Sequence, residues 1–344
     1  MCGIVAYLGP RKAHEIILKG LKRLEYRGYD SAGIALLNGG LNVYKKKGKV
    51  SDLEENIKGL NLKSNIGIGH TRWATHGEPN DVNAHPHLSG SKKIAMIHNG
   101  IIENYGALKQ ELIKKGHVFE SETDSEVFIH FIEDIQIHHD CPLEEAVRLA
   151  LTKVVGAYAI AIISVDNPNL LIAARKGSPL VIGVGKDEFF IASDATPIIE
   201  YTNEVVYLND YEIAVIENNQ LKIRNTDDVQ STPYIQTLEL ELEAIEKGGY
   251  EHFMLKEIYE QPAVLKNTLT GRLGKHRVLE EAFGTNAAAI FEKVEQVQIV
   301  ACGTSYHSGL VAKYWLEDWG GLSCAVEVAS EFRYRKTVVP KNCL

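Results

Sequence analysis

The sequence lacks the features that mark membrane-spanning, secreted and nucleic-acid-binding proteins. No run approaches the roughly 18 apolar residues of a membrane span, and no basic segment followed by a long apolar stretch opens the chain. Acidic residues outnumber basic ones by 45 to 37, giving a net charge of −8, and no long basic run is present. We therefore expect no membrane span and no nucleic-acid partner.

Cysteine is scarce and scattered. The five cysteines are odd in number and never form a CxxC pair, which argues against both a zinc site and a secreted disulfide framework. Free thiols fit a reducing compartment, so a cytoplasmic protein is predicted, and neither a metal nor another cofactor is expected. The cysteines are Cys2, Cys141, Cys302, Cys324 and Cys343.

The chain has the length and composition of a two-domain globular protein, with 344 residues of which 45% are hydrophobic and 24% charged. Up to about residue 224, strand patterns outnumber helix patterns too heavily for a simple alternating parallel sheet. Two mainly antiparallel sheets packed face to face, with helices outside, are the favoured α+β architecture. Strand character fades over residues 225–249, which predicts a linker, and residues 250–344 then form a second domain.

Cys2 is the first candidate for chemistry. Removal of Met1, which a small following side chain favours, places a thiol and a free α-amine on one residue. Such an amine titrates near about 7.7–8.0 and can serve as the base for its own thiol. The alternative is a buried cysteine at the start of an edge strand, because free cysteine packs as a small hydrophobe.

Two polar segments follow apolar strands predicted at residues 66–70 and 94–98. In GHTRWATHG, residues 69–77, the guanidinium of Arg72 can hold a carboxylate with two parallel hydrogen bonds, although a solvated surface loop explains the segment equally well. In HNGIIEN, residues 98–104, the Asn99 amide and the Gly100 N–H suit an oxyanion hole. The alternative there is an ordinary Asn-Gly turn at a strand end.

Two further segments allow more than one interpretation. SETDSE, residues 121–126, is typical of a helix N-cap with an acidic first turn, and alternatively offers the Asp124 carboxylate to the ammonium of an amino acid. A strand at residues 297–301, the turn CGTS and a helix ending near Trp319 together have the geometry that binds phosphate at a helix N-terminus.

Taken in order, these segments resemble the glutamine–fructose-6-phosphate aminotransferases, a family of glucosamine-6-phosphate synthases. The resemblance covers essentially the whole chain and rests on CGIVAY at 2–7, RLEYRGYDSAG at 23–33, HTRWATHGEP at 70–79, AHPH at 84–87, HNGIIEN and SETDSE. It implies a four-layer αββα N-terminal-nucleophile glutaminase at 1–224, of the class II amidotransferase type. It also implies a linker at 225–249 and part of an α/β sugar isomerase (SIS) domain at 250–344.

The resemblance also implies roles for particular residues. Cys2 is expected to attack the γ-carboxamide of glutamine and form a thioester, while Asn99 and Gly100 stabilise the oxyanion. Glutamine is expected to be held by Arg72 at its α-carboxylate and by Asp124 at its ammonium. The remaining implied site residues are Trp73 as the gate of an ammonia path, Thr75 and His76 beside glutamine, and Gly303, Thr304 and Ser305 at a sugar phosphate.

In this family the ammonia passes to fructose 6-phosphate, and the isomerase domains usually pair, so a homo-oligomer is expected. The family's later isomerase segments have no counterpart in the sequence, which predicts that this chain retains only the glutaminase half. Three alternatives remain open at this point. They are another acceptor such as a phosphoribosyl pyrophosphate, a sugar-phosphate-binding regulatory module, and a stand-alone amide hydrolase.

Overall fold

The fold is organised as two units, Met1–Glu246 and Lys247–Leu344. The structure is a computed structural model that describes residues 2–74, 77–238, 249–275, 277–284 and 286–344. None of the helices in these ranges combines the length and the apolar character that a membrane crossing requires.

Fifteen strands lie in the described part of the first unit. They are β1 (Gly3–Leu8), β2 (Ser31–Leu37), β3 (Leu41–Lys47), β4 (Ile66–Arg72), β5 (His87–Leu88), β6 (Ile94–Ile102), β7 (Gly156–Ser164), β8 (Leu170–Lys176), β9 (Val181–Val184), β10 (Phe189–Ala192), β11 (Glu204–Tyr207), β12 (Glu212–Glu217), β13 (Gln220–Asn225), β14 (Gln230–Ser231) and β15 (Gln236–Thr237). The helices of the same region are α1 (Ala13–Leu24), α2 (Val50–Asn56), α3 (Tyr105–Lys114), α4 (Asp124–His139) and α5 (Leu143–Leu151).

These strands form two antiparallel sheets. The first sheet has eight strands in the order β15-β11-β9-β10-β1-β4-β2-β3, and the second has seven in the order β14-β13-β12-β8-β7-β6-β5. The strand β1 lies inside the first sheet, paired with β4 on one side and β10 on the other, and β6 pairs with β7 in the second. The segment that follows Cys2 is therefore an interior strand rather than an edge strand.

The period-2 alternation of the strands separates three apolar layers. Along β1, Ile4 and Ala6 face the second sheet, whereas Val5 and Tyr7 pack beneath α1 and α2. Along β6 and β7 the side chains alternate in the same way. Those on one face pack in the space that separates the two sheets, and those on the other face pack in the core beneath α3, α4 and α5. Helix, sheet, sheet and helix thus stack in order, and the predicted four-layer αββα sandwich is confirmed.

Burial on both faces explains why the central strands are continuously apolar. The run Tyr158–Ile163 in β7 is 0% exposed at every position, so no polar face interrupts it. Helix α1 instead carries one apolar stripe because only one of its sides is covered, and Ile17, Leu21 and Leu24 on that stripe are fully buried.

The second unit contains a parallel strand–helix–strand motif. Its elements in the described ranges are α6 (Phe253–Leu269), α7 (Ala287–Phe291), β16 (Gln296–Ala301), α8 (Gly303–Asp318), β17 (Ser323–Val328) and α9 (Ala329–Tyr334). The strands β16 and β17 pair in parallel, and α8 is the crossover that such a pair requires. The predicted strand, CGTS turn and helix are therefore present.

Several predicted element boundaries are wrong. The strand expected at 66–70 continues through Arg72, and the strand expected at 94–98 continues through Ile102. The predicted linker, 225–249, has strand structure in its first half, because β14 pairs with β13 and β15 pairs with β11. Both strands are two residues long, polar and exposed, so they leave no alternating pattern in the sequence. Residues 239–248 lie outside the described ranges.

Candidate active site

A cavity of about 330 Å³ opens where residues adjoining β1, β4 and β6 meet the N-terminus of α4. Its wall brings together five of the residues singled out from the sequence, Cys2, Arg72, Asn99, Gly100 and Asp124, with Trp73 at the same opening. The other lining residues are His85, His98, Ile101, Thr123, Ser125, Ser178 and Pro179.

Strand alternation explains why these residues converge. In β4, Ile66 and Ile68 face the space between the sheets, and Arg72 continues the same parity at the strand end. In β6, Ile97 faces that space and Asn99 is the next residue of its parity. Cys2 continues the inward parity of Ile4 and Ala6 in the same way. The polar site is thus the end of the layer between the sheets, where the apolar side chains stop.

The thiol of Cys2 is held against the backbone of Trp73. The Trp73 N–H donates to Sγ at 3.2 Å, and Sγ lies 3.6 Å from the Trp73 carbonyl oxygen. Burial raises the pKa of the Cys2 thiol above its ordinary value, and the Trp73 N–H opposes this shift. Since the thiol stays protonated near neutral pH, a nucleophilic Cys2 needs a base.

Asn99 and Gly100 follow one another in β6 beside Cys2. The Asn99 Nδ2 donates to the Cys2 carbonyl oxygen at 3.1 Å, and its Oδ1 lies 2.9 Å from His70 Nε2. Gly100 has φ +131°, and a Cβ at this position would lie 2.0 Å from the Ala157 carbonyl oxygen. Both the backbone angle and the lack of space require glycine. The pair lies within a strand, not in the Asn-Gly turn considered above.

Arg72 and Asp124 place opposite charges on the cavity wall. Both are only 4% exposed. The Arg72 guanidinium donates to the carbonyl oxygens of Gly77 and Glu78 at 3.3 and 3.4 Å, and Asp124 Oδ2 accepts from the Ile102 N–H at 2.8 Å. These contacts hold the two side chains at a fixed spacing, which suits a zwitterionic ligand.

The segment 121–126 does form a helix N-cap. Thr123 is the N-cap residue of α4 and its side chain accepts from the Glu126 N–H, so Asp124 occupies the first helical position. This cap is what aims Asp124 at the cavity. The interpretation of the segment as a helix N-cap is therefore confirmed. The binding of an ammonium group by Asp124 remains a prediction, and the cap is compatible with it.

The other predicted site residues divide into three groups. Trp73 is 50% exposed and makes an edge contact with Tyr29 at 5.7 Å between ring centroids. Thr75 and His76 lie outside the described residues. Gly303, Thr304 and Ser305 form the exposed first turn of α8 in the second unit, after the N-cap residue Cys302.

A group of buried histidines at the cavity was not among the site residues predicted from the sequence. The rings of His70 and His85 lie 4.2 Å apart, and those of His85 and His87 lie 4.6 Å apart. Burial lowers the pKa of His70 to about 3 and those of His85 and His87 well below their ordinary value. His70 has the same strand parity as Ile68 and Arg72, and this alternation is the sequence signal that could have placed its side chain near the site. Among the described residues, no group of three or more His, Cys, Asp or Glu side chains could hold a metal ion.

Comparison with known proteins connects both units to one group. The family model of the glutamine amidotransferase domain matches residues 70–200, and that of the SIS domain matches residues 290–344. The chain is 53% identical over 351 aligned positions to the glutamine–fructose-6-phosphate aminotransferase (isomerizing) of Bacteroides thetaiotaomicron, and 51% identical over 356 positions to that of Chlorobaculum tepidum. Each alignment covers 99% of this chain and 56% of the relative, so the chain spans about half of their length.

Solved structures support the fold of the first unit. The allosteric regulatory enzyme of purine biosynthesis superposes with a TM-score of 0.58 at 29% identity, over 65% of this chain and 49% of that one. The glutamine phosphoribosylpyrophosphate amidotransferase of B. subtilis superposes with a TM-score of 0.60, over 94% of this chain and 65% of that one, and its 21% identity indicates a shared fold only. Sequence matches in both units and identity along the whole chain agree: the chain has a glutamine amidotransferase domain and an SIS segment, and it is similar throughout its length to glutamine–fructose-6-phosphate aminotransferases.

Proposed function

We propose that this chain hydrolyses glutamine through a thioester on Cys2 and, as part of a glutamine–fructose-6-phosphate aminotransferase, delivers the ammonia to fructose 6-phosphate, forming glucosamine 6-phosphate and glutamate. One observation carries the proposal. A thiol, an amide donor, a guanidinium and a carboxylate line a single cavity of about 330 Å³, which is in the size range of small-molecule sites.

The proposed reaction begins at Cys2 Sγ. The free α-amine left after Met1 removal takes the thiol proton, and sulfur attacks the Cδ carbon of glutamine to form a C–S bond. The Asn99 amide and the Gly100 N–H stabilise the resulting oxyanion. The C–N bond then breaks, the proton returns to the departing nitrogen, and ammonia leaves. Water hydrolyses the thioester to glutamate and restores the thiol.

Arg72 and Asp124 orient glutamine for this attack. The guanidinium binds the α-carboxylate, and the Asp124 carboxylate binds the ammonium, so both ends shared by all amino acids are fixed. The length of the glutamine side chain then decides whether its carboxamide reaches Cys2. Thr75 and His76 complete this part of the site in the proposal, and Trp73 covers the exit that ammonia takes.

The acceptor half of the proposal rests on the second unit and on the relatives. The relatives' names specify fructose 6-phosphate, and the SIS match at 290–344 supports a sugar-phosphate acceptor over a phosphoribosyl pyrophosphate. Gly303, Thr304 and Ser305 are proposed to contact the phosphate with the N-terminal amides of α8. We further propose a cytoplasmic homo-oligomer that pairs through its SIS regions, and the free cysteines fit a reducing compartment.

Glutamate release from glutamine tests the first half. The purified chain, with Met1 removal checked by intact mass, is compared with Cys2→Ser and with Cys141→Ser, a free cysteine outside the cavity. We expect Cys2→Ser to lose roughly three orders of magnitude or more in kcat, and Cys141→Ser to retain wild-type activity. Unchanged hydrolysis by Cys2→Ser, or none by the processed wild type, contradicts the proposal.

A chimaera tests the second half. These 344 residues replace the matching segment of the Bacteroides thetaiotaomicron relative, with which they share 53% identity. The chimaera is expected to form glucosamine 6-phosphate from fructose 6-phosphate and glutamine, and its Cys2→Ser version is expected to lose this glutamine-dependent product. A chimaera that folds and hydrolyses glutamine but makes no amino sugar contradicts the acceptor assignment alone.

A further inference from the structure

His70 connects the two sheets at the candidate site. It lies in β4 of the first sheet and reaches across to β6 of the second, where its Nε2 is 2.9 Å from Asn99 Oδ1 and 3.1 Å from the His98 carbonyl oxygen. The His70 side chain is not part of the cavity wall, and the residue is 1% exposed. It therefore acts on the cavity only through the residues that it contacts.

The hydrogen-bond partners fix which way the Asn99 amide faces. A backbone carbonyl oxygen only accepts hydrogen bonds, so the group 3.1 Å from the Cys2 carbonyl oxygen is the Asn99 NH₂. The Asn99 Oδ1 then faces His70, and since both neighbours of His70 Nε2 are acceptors, this nitrogen carries the hydrogen. One of the two NH₂ hydrogens points to Cys2, and the other remains to serve a ligand in the cavity.

The surroundings of His70 keep its ring neutral, with the hydrogen on Nε2. The ring of His85 lies 4.2 Å away at an angle of 33°, and His70 Nδ1 is buried with no hydrogen-bond partner among the described residues. Burial lowers the His70 pKa to about 3, so the imidazole is neutral at physiological pH. With Nδ1 lacking a partner, the hydrogen stays on Nε2, where two acceptors compete for it.

We propose that His70 is a positioning residue that holds the carboxamide of Asn99 in the orientation required for oxyanion stabilisation. This inference rests on the proposed glutaminase function. If the amide rotates by half a turn, Oδ1 faces the Cys2 carbonyl oxygen and the developing oxyanion, both of which repel it. The Nε2–H of His70 disfavours that rotation, because the reversed amide presents a second donor to it.

Kinetics of five variants test the proposal. His70→Leu removes the donor, and we expect kcat to fall by between about tenfold and the loss seen for Asn99→Ala, with KM nearly unchanged. His70→Gln can place an amide N–H near the Nε2 position and should recover most of kcat, whereas the shorter His70→Asn should not. In an Asn99→Ala background, His70→Leu should cause no further loss of kcat, because its effect is exerted through Asn99.

A structural role predicts a different pattern. If His70→Leu lowers kcat by the same factor with and without Asn99, or if His70→Gln fails to differ from His70→Asn at equal thermal stability, the proposal is wrong.

A further measurement does not depend on turnover. In ¹⁵N-labelled protein the Asn99 side-chain NH₂ signals, assigned by their loss in Asn99→Ala, should shift and broaden in His70→Leu and keep their wild-type positions in His70→Gln.

The two readouts separate this inference from the proposed function. Absence of glutamate release by the wild-type chain contradicts the glutaminase proposal, while the NH₂ signals still decide whether His70 holds the amide. Unchanged NH₂ signals in His70→Leu overturn the positioning role even if the wild type is a glutaminase.

Discussion

At the scale of single residues, the site depends on a few contacts that only one side chain can make. Asn99 donates to the Cys2 carbonyl oxygen and accepts from His70, so its amide is held on both sides. Truncation should therefore remove one donor from the oxyanion site, together with the contacts to Cys2 and His70.

Asn99→Ala should lower kcat by roughly two to three orders of magnitude, the loss seen when one oxyanion-hole donor is removed, with a smaller effect on the KM for glutamine. The matched control is Asn104→Ala, because the Asn104 amide bonds the backbone of Lys153 and Val155 away from the cavity. That control should reduce stability and leave kcat unchanged. Equal kcat values for the two variants contradict the role of Asn99.

Asp124→Asn should mainly raise the KM for glutamine, because a neutral amide cannot pair with the substrate ammonium but still accepts the Ile102 N–H. Asp140→Asn is the control, since Asp140 lies beyond the other end of α4 in a left-handed conformation that asparagine tolerates. Steady-state kinetics of both variants decide the point, and a larger KM change in the control than in Asp124→Asn rules out the assignment.

At the scale of secondary structure, the strand β6 has to carry a glycine in its interior. Gly100 pairs with Tyr158 of β7 at φ +131°, and a side chain there would meet the Ala157 carbonyl oxygen. Gly100→Ala should therefore separate β6 from β7 locally and lower stability by about 2 kcal/mol or more. Denaturant unfolding measures the loss.

Gly106→Ala is the matched control for that substitution. Gly106 lies in α3, where a Cβ added to it would have no atom of the described residues within 4 Å apart from its chain neighbours and the backbone of its own helix, and alanine is the better helix former. We expect the denaturant concentration at the unfolding midpoint of this variant to equal that of the wild type or to be slightly higher. Comparable destabilisation by both glycine substitutions shows that the tight β6–β7 contact is not the cause.

The same element shows where sequence patterns stop being informative. The apolar run at 94–98 predicts strand β6, but its polar continuation through Asn99 and Gly100 is typical of a loop, because the two residues favour turns. Pairing with β7 overrides that local preference. The start of helix α4 is predicted correctly by the N-cap pattern at residues 121–126, because a cap is set by local contacts.

At the scale of the whole molecule, buried neutral histidines link folding to pH. Burial lowers the pKa values of His70, His85, His87 and His130 in the folded protein, whereas in the unfolded chain each is near about 6.5. Below that pH the unfolded chain binds protons that the folded one does not, so the free energy of unfolding falls as pH decreases. Each histidine contributes up to about 1.4 kcal/mol per pH unit.

Urea midpoints of the first unit between about pH 5 and pH 7.5 check this prediction. Stability should be level above about pH 7 and decline towards pH 5. The free energy of unfolding of His85→Gln should depend less steeply on pH than that of the wild type, whatever the stability of the variant at neutral pH. The difference in slope should correspond to close to one bound proton. A rise in stability towards pH 5 contradicts the sign.

Long-range pairing is the part of the structure that the sequence could not reveal. The four layers were predictable because strand and helix patterns are local, and Cys2, Arg72, Asn99 and Asp124 were identified as candidates from their motifs. The contact between His70 and Asn99 joins residues 29 positions apart on different sheets, which no periodicity records. The two-residue strands β14 and β15 were missed because they are defined by their partners alone.

The interior location of β1 also has a consequence for synthesis. The Ile4 N–H donates to the Ser193 hydroxyl, 189 residues later in the chain, and β1 pairs with β10 just before it. At the usual rate of about 5–20 residues per second, the ribosome needs about ten to forty seconds to add that partner. For that interval the strand behind Cys2 has one edge without its final neighbour, so the geometry around the thiol is completed only after residue 193 has been added.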